Sequence, residues 1–501
     1  MDSKAFNDAV AAIKSDLGDF LPETILSVFV CALLLYDLFG KPKARGAGII
    51  ALIGVVLAGF ALARQDVSPA RDIFSGMMRV DPFGQFFKGL IIVGTAISVV
   101  MTMTFESFEK RRMGEFYALL LGAALGMFIM SAANNLLIFY LGVEFSSMAS
   151  YLLTAFVKRD QKGSEAGMKY AIYGSVASGV MIFGLSLLYG LTGSLDVGDL
   201  ARTFAAGGDA AMTLLVASAM AFAGLAYKMA AFPMHFWCPD VYEGAPTPFT
   251  AFLSVTSKAA GFALFVRFLL AFDTGYGVTL VSGTKLQVAW PTLVMVASVA
   301  SMTIGNLAAL WQTNVKRMLA YSSIAHAGYL LMGVAIMTPG QPAAQAAPLL
   351  FYFIAYLFMN LGAFYVVTMV EGRNGQVDID GYRGLGRTAP FLGVCLTLFL
   401  LSLLGVPPTG GFTGKLQLFM AVIEQKLFWL AIVAAVNTAV SAYYYFRIIK
   451  AMYLDEAHKD APRGFRLFPQ AVVGALAIPV LWLGLDFNRV AEFAKQFGLV
   501  R

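Results

Sequence analysis

Apolar stretches of about 20 residues follow one another along nearly the whole chain, and this pattern restricts the fold more than any other feature. A helix needs roughly 20 apolar residues to cross the hydrocarbon core of a membrane. We distinguish about fourteen such stretches by their apolar composition and polar boundaries, and call them spans one to fourteen. They occupy residues 21–39, 46–64, 84–105, 115–132, 134–157, 166–191, 211–236, 247–271, 289–310, 315–338, 347–370, 389–424, 428–453 and 467–486.

The composition excludes an ordinary soluble domain. Of the 501 residues, 59% are hydrophobic and 13% are charged, whereas charged residues make up about 25% of an average soluble domain. A soluble protein of this size could not bury so much apolar surface. The sequence therefore predicts an all-α polytopic membrane protein that forms one domain in the lipid bilayer. Its net charge of +6 is explained by membrane topology and does not indicate a nucleic-acid partner.

Lysine and arginine are distributed unevenly between the connections. The connections that follow odd-numbered spans carry most of them, and those that follow even-numbered spans carry few. By the positive-inside rule, the odd-numbered connections face the cytoplasm, or the matrix in an organelle. Both termini are then expected on the periplasmic or intermembrane side, in a bacterial cytoplasmic membrane or a mitochondrial inner membrane.

Cysteine and histidine are too few and too scattered to hold a redox centre. The cysteines are Cys31, Cys238 and Cys395, and the histidines are His235, His326 and His458. Iron–sulfur clusters and zinc sites need several such ligands at short spacing. The sequence therefore predicts no cofactor and no metal in this chain.

Two spans carry helix breakers at membrane depth. In span seven, Lys228 lies five residues before Pro233. Span twelve is too long for one straight crossing and contains the sequence GVPPTGGF, so we expect two half-helices there. Its breakers are Pro407, Pro408, Gly410 and Gly411. Proline removes a helical hydrogen bond and frees carbonyl groups, which is tolerated in a membrane where the break lines a hydrated cavity.

The two broken spans are five apart, so they cross the membrane in opposite directions. This arrangement is typical of inverted repeats in transporters. We expect a first repeat of spans four to eight at 115–271 and a second of spans nine to thirteen at 289–453. Spans one to three at 1–114 precede them, and the final span at 467–486 follows.

Ionisable residues inside the spans are candidates for function, because a charge at the centre of a membrane helix costs about 2.5–3.5 kcal/mol on insertion scales. Burial favours the neutral form of an amine, so a row of lysines near a glutamate can relay protons. A sodium site would instead require several converging oxygen ligands. The candidate relay residues are Glu144, Lys169, Lys228, Lys258, His326 and Lys415.

Structural explanations exist for some of these residues. Lys169 lies near the start of span six and could extend to the membrane interface. His326 could be a hydrogen-bonded core histidine, and Glu144 could form a static ion pair with one lysine. A single deep carboxylate cannot neutralise all the lysines, however, which favours the relay.

Four long motifs surround these breaks and charges. They read KMAAFPMHFWCPDVYEGAPTPFTAFLSVTSKAAGFAL, VKRMLAYSSIAHAGYLLMG, GVPPTGGFTGKLQLFMAVI and SAYYYFRIIKAMY. The chain resembles, over nearly its whole length, the antiporter-like membrane subunits of proton-pumping NADH–quinone oxidoreductase, respiratory complex I. Among these it is similar to the subunit N family, which includes mitochondrial subunit 2. A sister subunit of the complex has glutamate where this chain has Lys415.

The resemblance implies a proton-translocating subunit that is coupled to quinone reduction elsewhere in the complex. It assigns the relay role to all six candidate residues. It also implies that NADH, FMN, iron–sulfur clusters and quinone bind to partner subunits, and that the other membrane subunits of complex I, sister antiporter-like subunits included, are the partners. The alternative is a subunit of a multisubunit cation/proton antiporter or membrane-bound hydrogenase of the same fold. A membrane scaffold without transport would leave the lysine row unexplained.

Overall fold

The computed structural model describes residues 14–39, 44–105, 112–157, 160–206, 211–270, 278–279, 285–286, 290–337, 342–457 and 464–497. Most of these residues are helical, as the prediction of an all-α protein requires. The extreme terminal residues, to which the orientation prediction refers, and His458 lie outside the described residues.

Within the described ranges, 13 helices are long and apolar enough to cross a membrane. Spans one to six are the helices Leu21–Phe39, Ala44–Arg64, Pro82–Thr104, Met113–Ala132, Leu136–Thr154 and Gln161–Thr192. Spans nine to eleven are Trp290–Ala309, Val315–Ala335 and Pro342–Asn374, and spans thirteen and fourteen are Phe428–Tyr453 and Leu467–Leu485. The polytopic helical fold is confirmed.

Spans seven and twelve are interrupted at the expected residues. The helix of span seven, Ala211–Met229, ends before Pro233, and a short helix, Trp237–Gly244, follows the break. Span twelve consists of the half-helices Pro390–Leu404 and Gly410–Glu424. Gly405 caps the first half with φ of +90°, a backbone conformation that favours glycine. The two halves together make the remaining crossing.

Span eight has an irregularity that the sequence did not indicate. It begins as the α-helix Thr247–Phe252, continues through a π-helical turn at Leu253–Ser257, and ends as the α-helix Lys258–Leu270. A π turn inserts a residue into the helix and changes the direction of the side chains that follow. Lys258 is the first residue after this turn.

The connections contain short elements. Two antiparallel hairpins pair Arg71–Ile73 with Met78–Val80 and Val278–Thr279 with Lys285–Leu286. The short helices are Val197–Ala206, the 3₁₀-helix Ile379–Tyr382, Leu385–Thr388 and, after span fourteen, Phe487–Gln496.

The core lies around spans eight, ten and eleven. All of the apolar window of span eight and 94% of that of span ten are buried, whereas only 22% of span one is buried. The exposed side chains of the outer helices are large and apolar, such as Leu35, Phe60 and Ile478, as expected for lipid contact. Polar side chains on spans eight and ten are therefore enclosed by protein.

Candidate functional site

Three of the predicted lysines are buried inside the helical bundle. Lys228, Lys258 and Lys415 are 2%, 2% and 4% exposed, and they come from spans seven, eight and twelve. Each ammonium group donates to hydroxyl or backbone carbonyl oxygens, and within the described residues none of the three is in an ion pair. All three can therefore change protonation state without leaving a carboxylate unpaired.

Lys228 contacts span five. Its Nζ donates to Ser146 Oγ at 3.0 Å and to Ser147 Oγ at 3.2 Å. Glu144, on the same helix, is half-buried and accepts a hydrogen bond from Ser178 Oγ. Ser147 follows Glu144 by one helical turn, so Glu144 and the partners of Lys228 lie on the same side of span five. The structure thus brings the predicted acid and lysine together, with serine hydroxyls beside the lysine.

Lys258 contacts span ten. Its Nζ donates to the carbonyl and to the hydroxyl of Ser323, the latter at 2.7 Å. Tyr356 of span eleven donates its hydroxyl proton to the same Ser323 Oγ at 2.9 Å. The π turn of span eight therefore precedes a lysine that enters a buried network of hydroxyl groups.

His326, on span ten, lies between Lys258 and Lys415. Its Nδ1 is 2.6 Å from the Tyr352 hydroxyl, and its Nε2 is 3.4 Å from the Tyr445 hydroxyl. Its ring packs against Tyr356, which Lys258 contacts, and against Tyr329, which Lys415 contacts. A neutral imidazole has one donor and one acceptor nitrogen, so His326 can receive a proton on one side and release one on the other.

Lys415 is held by the break in span twelve. Its Nζ donates to the carbonyl oxygens of Leu403 and Leu404, both at 3.0 Å, and lies 4.6 Å from the centre of the Tyr329 ring. The last carbonyl groups of a helix have no partner within it and carry a partial negative charge. The first half-helix therefore ends in acceptors for the cation that the second half-helix provides.

Lys169 lies apart from the buried lysines. Its side chain is 40% exposed, and its Nζ lies 2.8 Å from Glu165 Oε1 and 2.8 Å from Asp240 Oδ2. Arg317 joins the same surface cluster, at 2.5 Å from Asp240 and 3.1 Å from Glu243. Burial by itself raises the pKa of the Asp240 carboxyl. Hydrogen bonds from Lys169 and Arg317 outweigh this effect and hold the pKa below its ordinary value. Asp240 is therefore ionised at neutral pH.

The oxygen partners of the three buried lysines Lys228, Lys258 and Lys415 were not predicted from the sequence. One indication was available, because the pairs Ser146–Ser147 and Ser322–Ser323 each interrupt an apolar span in the sequences FSSMAS and YSSIAH. The tyrosines of span eleven gave no comparable indication, since buried tyrosines also occur as packing residues.

Two buried ion pairs were also missed. Lys88 of span three is 2.5 Å from Glu23 of span one, with side-chain exposures of 5% and 0%. Arg267 of span eight is 2.6 Å from Asp81, which precedes span three. In each case the acid and the base are far apart in sequence, so only the folded structure could pair them.

The described residues include no group of three or more histidine, cysteine and acidic side chains that could hold a metal ion. Cys31 is exposed, Cys238 and Cys395 are buried, and all three are free thiols.

The chain is similar to known proteins over nearly its whole length. Residues 133–441 match the family described as NADH:quinone oxidoreductase/Mrp antiporter, transmembrane. The NADH-quinone oxidoreductase subunit N of Chlorobium chlorochromatii is 42% identical, over 98% of this chain and 97% of that protein. A chain of respiratory complex I from Thermus thermophilus has a TM-score of 0.79 at 32% identity, covering 95% of this chain and 100% of the other. A chain of the Mrp complex from Dietzia sp. has a TM-score of 0.80 at 20% identity, covering 96% and 97%, which is a likeness of fold alone.

Proposed function

Because the chain belongs to the transmembrane family of NADH:quinone oxidoreductases and Mrp antiporters, and within it to the subunit N family, we propose that it is the proton-translocating subunit N of an NADH–quinone oxidoreductase, respiratory complex I. It is a multi-pass membrane protein that assembles with the other membrane subunits of that complex. NADH oxidation and quinone reduction take place in partner subunits, which hold the FMN, the iron–sulfur clusters and the quinone.

One observation carries this proposal. Three of the lysines that are buried in the bundle, Lys228, Lys258 and Lys415, have ammonium groups that are held by neutral oxygens. Burial disfavours the charged form of an amine, and a neutral acceptor stabilises that form less than a carboxylate does. Such lysines can therefore take up and release protons when a neighbouring charge changes.

The six residues form an ordered relay in this proposal. Lys169 takes up protons at the surface cluster, and Lys228 beside Glu144 receives them inside. Lys258 passes them through the Ser323 hydroxyl toward His326, and the histidine is the link to the third buried lysine, Lys415. Each hydroxyl gives up its own proton as it receives another, so no charged serine or tyrosine is formed.

The repeat organisation is part of the same proposal. Spans four to eight at 115–271 and spans nine to thirteen at 289–453 are inverted repeats, preceded by 1–114 and followed by the span at 467–486. The supporting observations are the breaks beside Lys228 and Lys415, five spans apart, and the serine pairs of spans five and ten. The odd-numbered connections then face the cytoplasm and both termini face the periplasm.

A partner surface follows from Glu144. This carboxylate is only half-buried, and its helix exposes the apolar side chains Leu141, Phe145 and Met148 beside it. A charge facing lipid at this depth would be costly. We therefore place a neighbouring membrane subunit against this face of span five.

The alternative of a separate cation/proton antiporter is less well supported, because the Mrp likeness is one of fold at 20% identity. The relatives with 42% and 43% identity are subunits N of NADH-quinone oxidoreductases.

The test is proton uptake per NADH oxidised by the purified complex in vesicles. We expect Lys228→Ala and Glu144→Ala to lower both pumping and quinone reductase activity about tenfold or more, because proton-transfer groups contribute factors of about 100 or more. Lys450→Ala, at a side chain that is 66% exposed at the end of span thirteen, is the matched control. Wild-type pumping by the fully assembled Lys228→Ala/Glu144→Ala double variant would exclude the relay.

A further inference from the structure

Two tyrosine hydroxyl groups converge on a glycine between the surface cluster and Lys228. Tyr151 comes from span five, Tyr227 from span seven and Gly174 from span six. A Cβ atom on Gly174 would lie 1.8 Å from Tyr151 Oη and 2.6 Å from Tyr227 Oη. No side chain larger than hydrogen fits there, so the glycine leaves space that both hydroxyl groups occupy.

This pair of hydroxyls is connected inward to Lys228. Tyr151 follows Ser147 by one turn in the helix of span five, and Ser147 Oγ accepts a hydrogen bond from Lys228 Nζ at 3.2 Å. Helical side chains point back toward the helix N-terminus, so Tyr151 reaches the level of Ser147, one turn earlier. Tyr227 directly precedes Lys228 in span seven. Tyr151 and Tyr227 thus lie within one helical turn of Ser147 and of Lys228, respectively.

The same pair is connected outward to the surface cluster. Tyr227 Oη donates to the carbonyl of Tyr170 at 3.2 Å, and Tyr170 follows Lys169 in span six. The five residues from Lys169 to Gly174 correspond to about 7.5 Å of helix. Trp237 holds this region in place, since its ring stacks on Tyr170 with centroids 4.5 Å apart and its Nε1 donates to the Tyr227 carbonyl at 3.0 Å.

The hydroxyl groups have hydrogen-bonding capacity to spare. Those of Tyr151 and Tyr170 are buried, and neither makes a hydrogen bond of good geometry within the described residues. Buried hydroxyl groups are normally satisfied by protein or by internal water. If these residues served packing alone, phenylalanine would fill the same space without leaving polar atoms unsatisfied.

We propose that the hydroxyls of Tyr151 and Tyr227, admitted by Gly174, carry protons from the Lys169–Asp240 surface cluster to Lys228. Water that enters from the cluster supplies the proton on the outer side, because the Tyr170 carbonyl can only accept a hydrogen bond. Each hydroxyl takes up that proton while its own proton leaves toward Ser147 and the amine, so neither tyrosine becomes charged. Gly174 acts as a positioning residue. This inference rests on the proposed function, because it supplies the uptake step of that relay.

The test compares variants of the whole purified complex in vesicles at equal complex content. Tyr151→Phe/Tyr227→Phe keeps both rings and removes only the hydroxyls. We expect the initial rate of proton uptake to fall about threefold to tenfold, which is the effect of losing a typical hydrogen bond from a rate-limiting step. We also expect D₂O to reduce the uptake rate of this variant more than it reduces that of the wild type. Tyr173→Phe, at an exposed tyrosine of span six, should change neither the uptake rate nor its response to D₂O.

Glycine variants give a second measurement. Gly174→Ala should lower uptake, whereas Gly179→Ala, which meets no atom within 4 Å in the same helix, should not. Wild-type uptake by the double tyrosine variant, alongside impaired uptake by Lys228→Ala, would overturn this inference and leave the proposed function standing. Unimpaired uptake by Lys228→Ala would overturn both.

Discussion

Each of the three buried candidate relay lysines donates to neutral oxygens, which suit an amine that changes charge. Lys228 and Lys258 donate to serine oxygens, and Lys415 donates to the carbonyls at the end of a half-helix. A carboxylate in direct contact would fix the positive charge, whereas a hydroxyl group can donate to the neutral amine and accept from the ammonium group. The choice of partner therefore bears on proton transfer as much as on stability.

Lys415→Arg distinguishes these roles. The guanidinium group can still donate to the Leu403 and Leu404 carbonyls and contact the Tyr329 ring, so assembly should be retained. Arginine does not lose its proton under protein conditions. We expect proton uptake per NADH and turnover to fall about tenfold or more.

Lys426→Arg, in the connection after span twelve, is the control for this substitution. If the Lys415→Arg complex pumps as the wild type does, Lys415 is a structural charge and protons leave by another route.

The charged members of the site could be predicted from the sequence because they stand out in apolar spans. The position of Lys169 near the start of span six already set it apart, but its cluster with Asp240 could not be predicted, because the two residues are 71 positions apart in sequence. The acceptor Ser323 and its donor Tyr356 escaped prediction, because serine is common in membrane helices, where it bonds to its own backbone, and buried tyrosine also occurs as a packing residue. Only contacts between distant spans give them a role.

At the scale of elements, the breaks differ in how they are encoded. Pro233 and Pro407 mark the interruptions of spans seven and twelve, since proline cannot continue a helix without losing a hydrogen bond. The π turn at Leu253–Ser257 has no such marker, because it arises from a change of hydrogen-bond register that ordinary residues can adopt. The sequence therefore indicated two irregular spans and missed the third.

The junction of the two half-helices in span twelve depends on Gly411. A Cβ atom there would lie 1.8 Å from the Ser402 carbonyl oxygen, a backbone atom that cannot move away easily. We expect Gly411→Ala to destabilise the subunit by about 1–3 kcal/mol or more, the usual cost of overpacking.

The measurement is the temperature at which the detergent-solubilised complex loses activity. Gly122→Ala in span four, with no atom within 4 Å, is the control and should keep the wild-type temperature. If both variants lost activity at the same temperature, the two half-helices could move apart at Gly411 without loss of stability.

The buried pair of Glu23 and Lys88 connects span one to span three. Lys88→Met would leave a buried carboxylate without its cation, which costs about 3–5 kcal/mol, whereas replacing both partners with apolar residues is often neutral. We expect Lys88→Met to reduce assembly into the membrane and Glu23→Met/Lys88→Met to restore it. Arg202→Met, in an exposed pair with Asp199, should have no effect. A double variant as defective as the single one would contradict this explanation.

At the scale of the whole molecule, hydropathy sufficed for the helical class and the number of crossings, because each span must satisfy its own backbone hydrogen bonds in lipid. The neighbours of each span could not be predicted. Spans eleven and fourteen have the same mean hydropathy of 1.8, yet 89% of the apolar window of span eleven is buried and only 33% of that of span fourteen. Burial among helices and exposure to lipid select the same residue types.

The chain as a whole should be redox-inactive. Its cysteines and histidines are scattered in sequence, and clusters and haems need converging ligands. We expect the purified subunit to show no flavin, haem or iron–sulfur absorbance and no oxidation of NADH, whereas the intact complex shows both. A chromophore retained in stoichiometric amount by the isolated subunit would contradict this.

The enclosure of span eight has a consequence for biogenesis. This span contacts spans three, four and seven, which the ribosome makes earlier, but also span eleven, which it makes later. The acceptor of Lys258 is Ser323, 65 residues downstream, which corresponds to about 3–13 s of synthesis at ordinary elongation rates of roughly 5–20 residues per second. During that interval the nascent span holds a lysine without its partner, so the insertion machinery has to retain it until the second half of the bundle arrives.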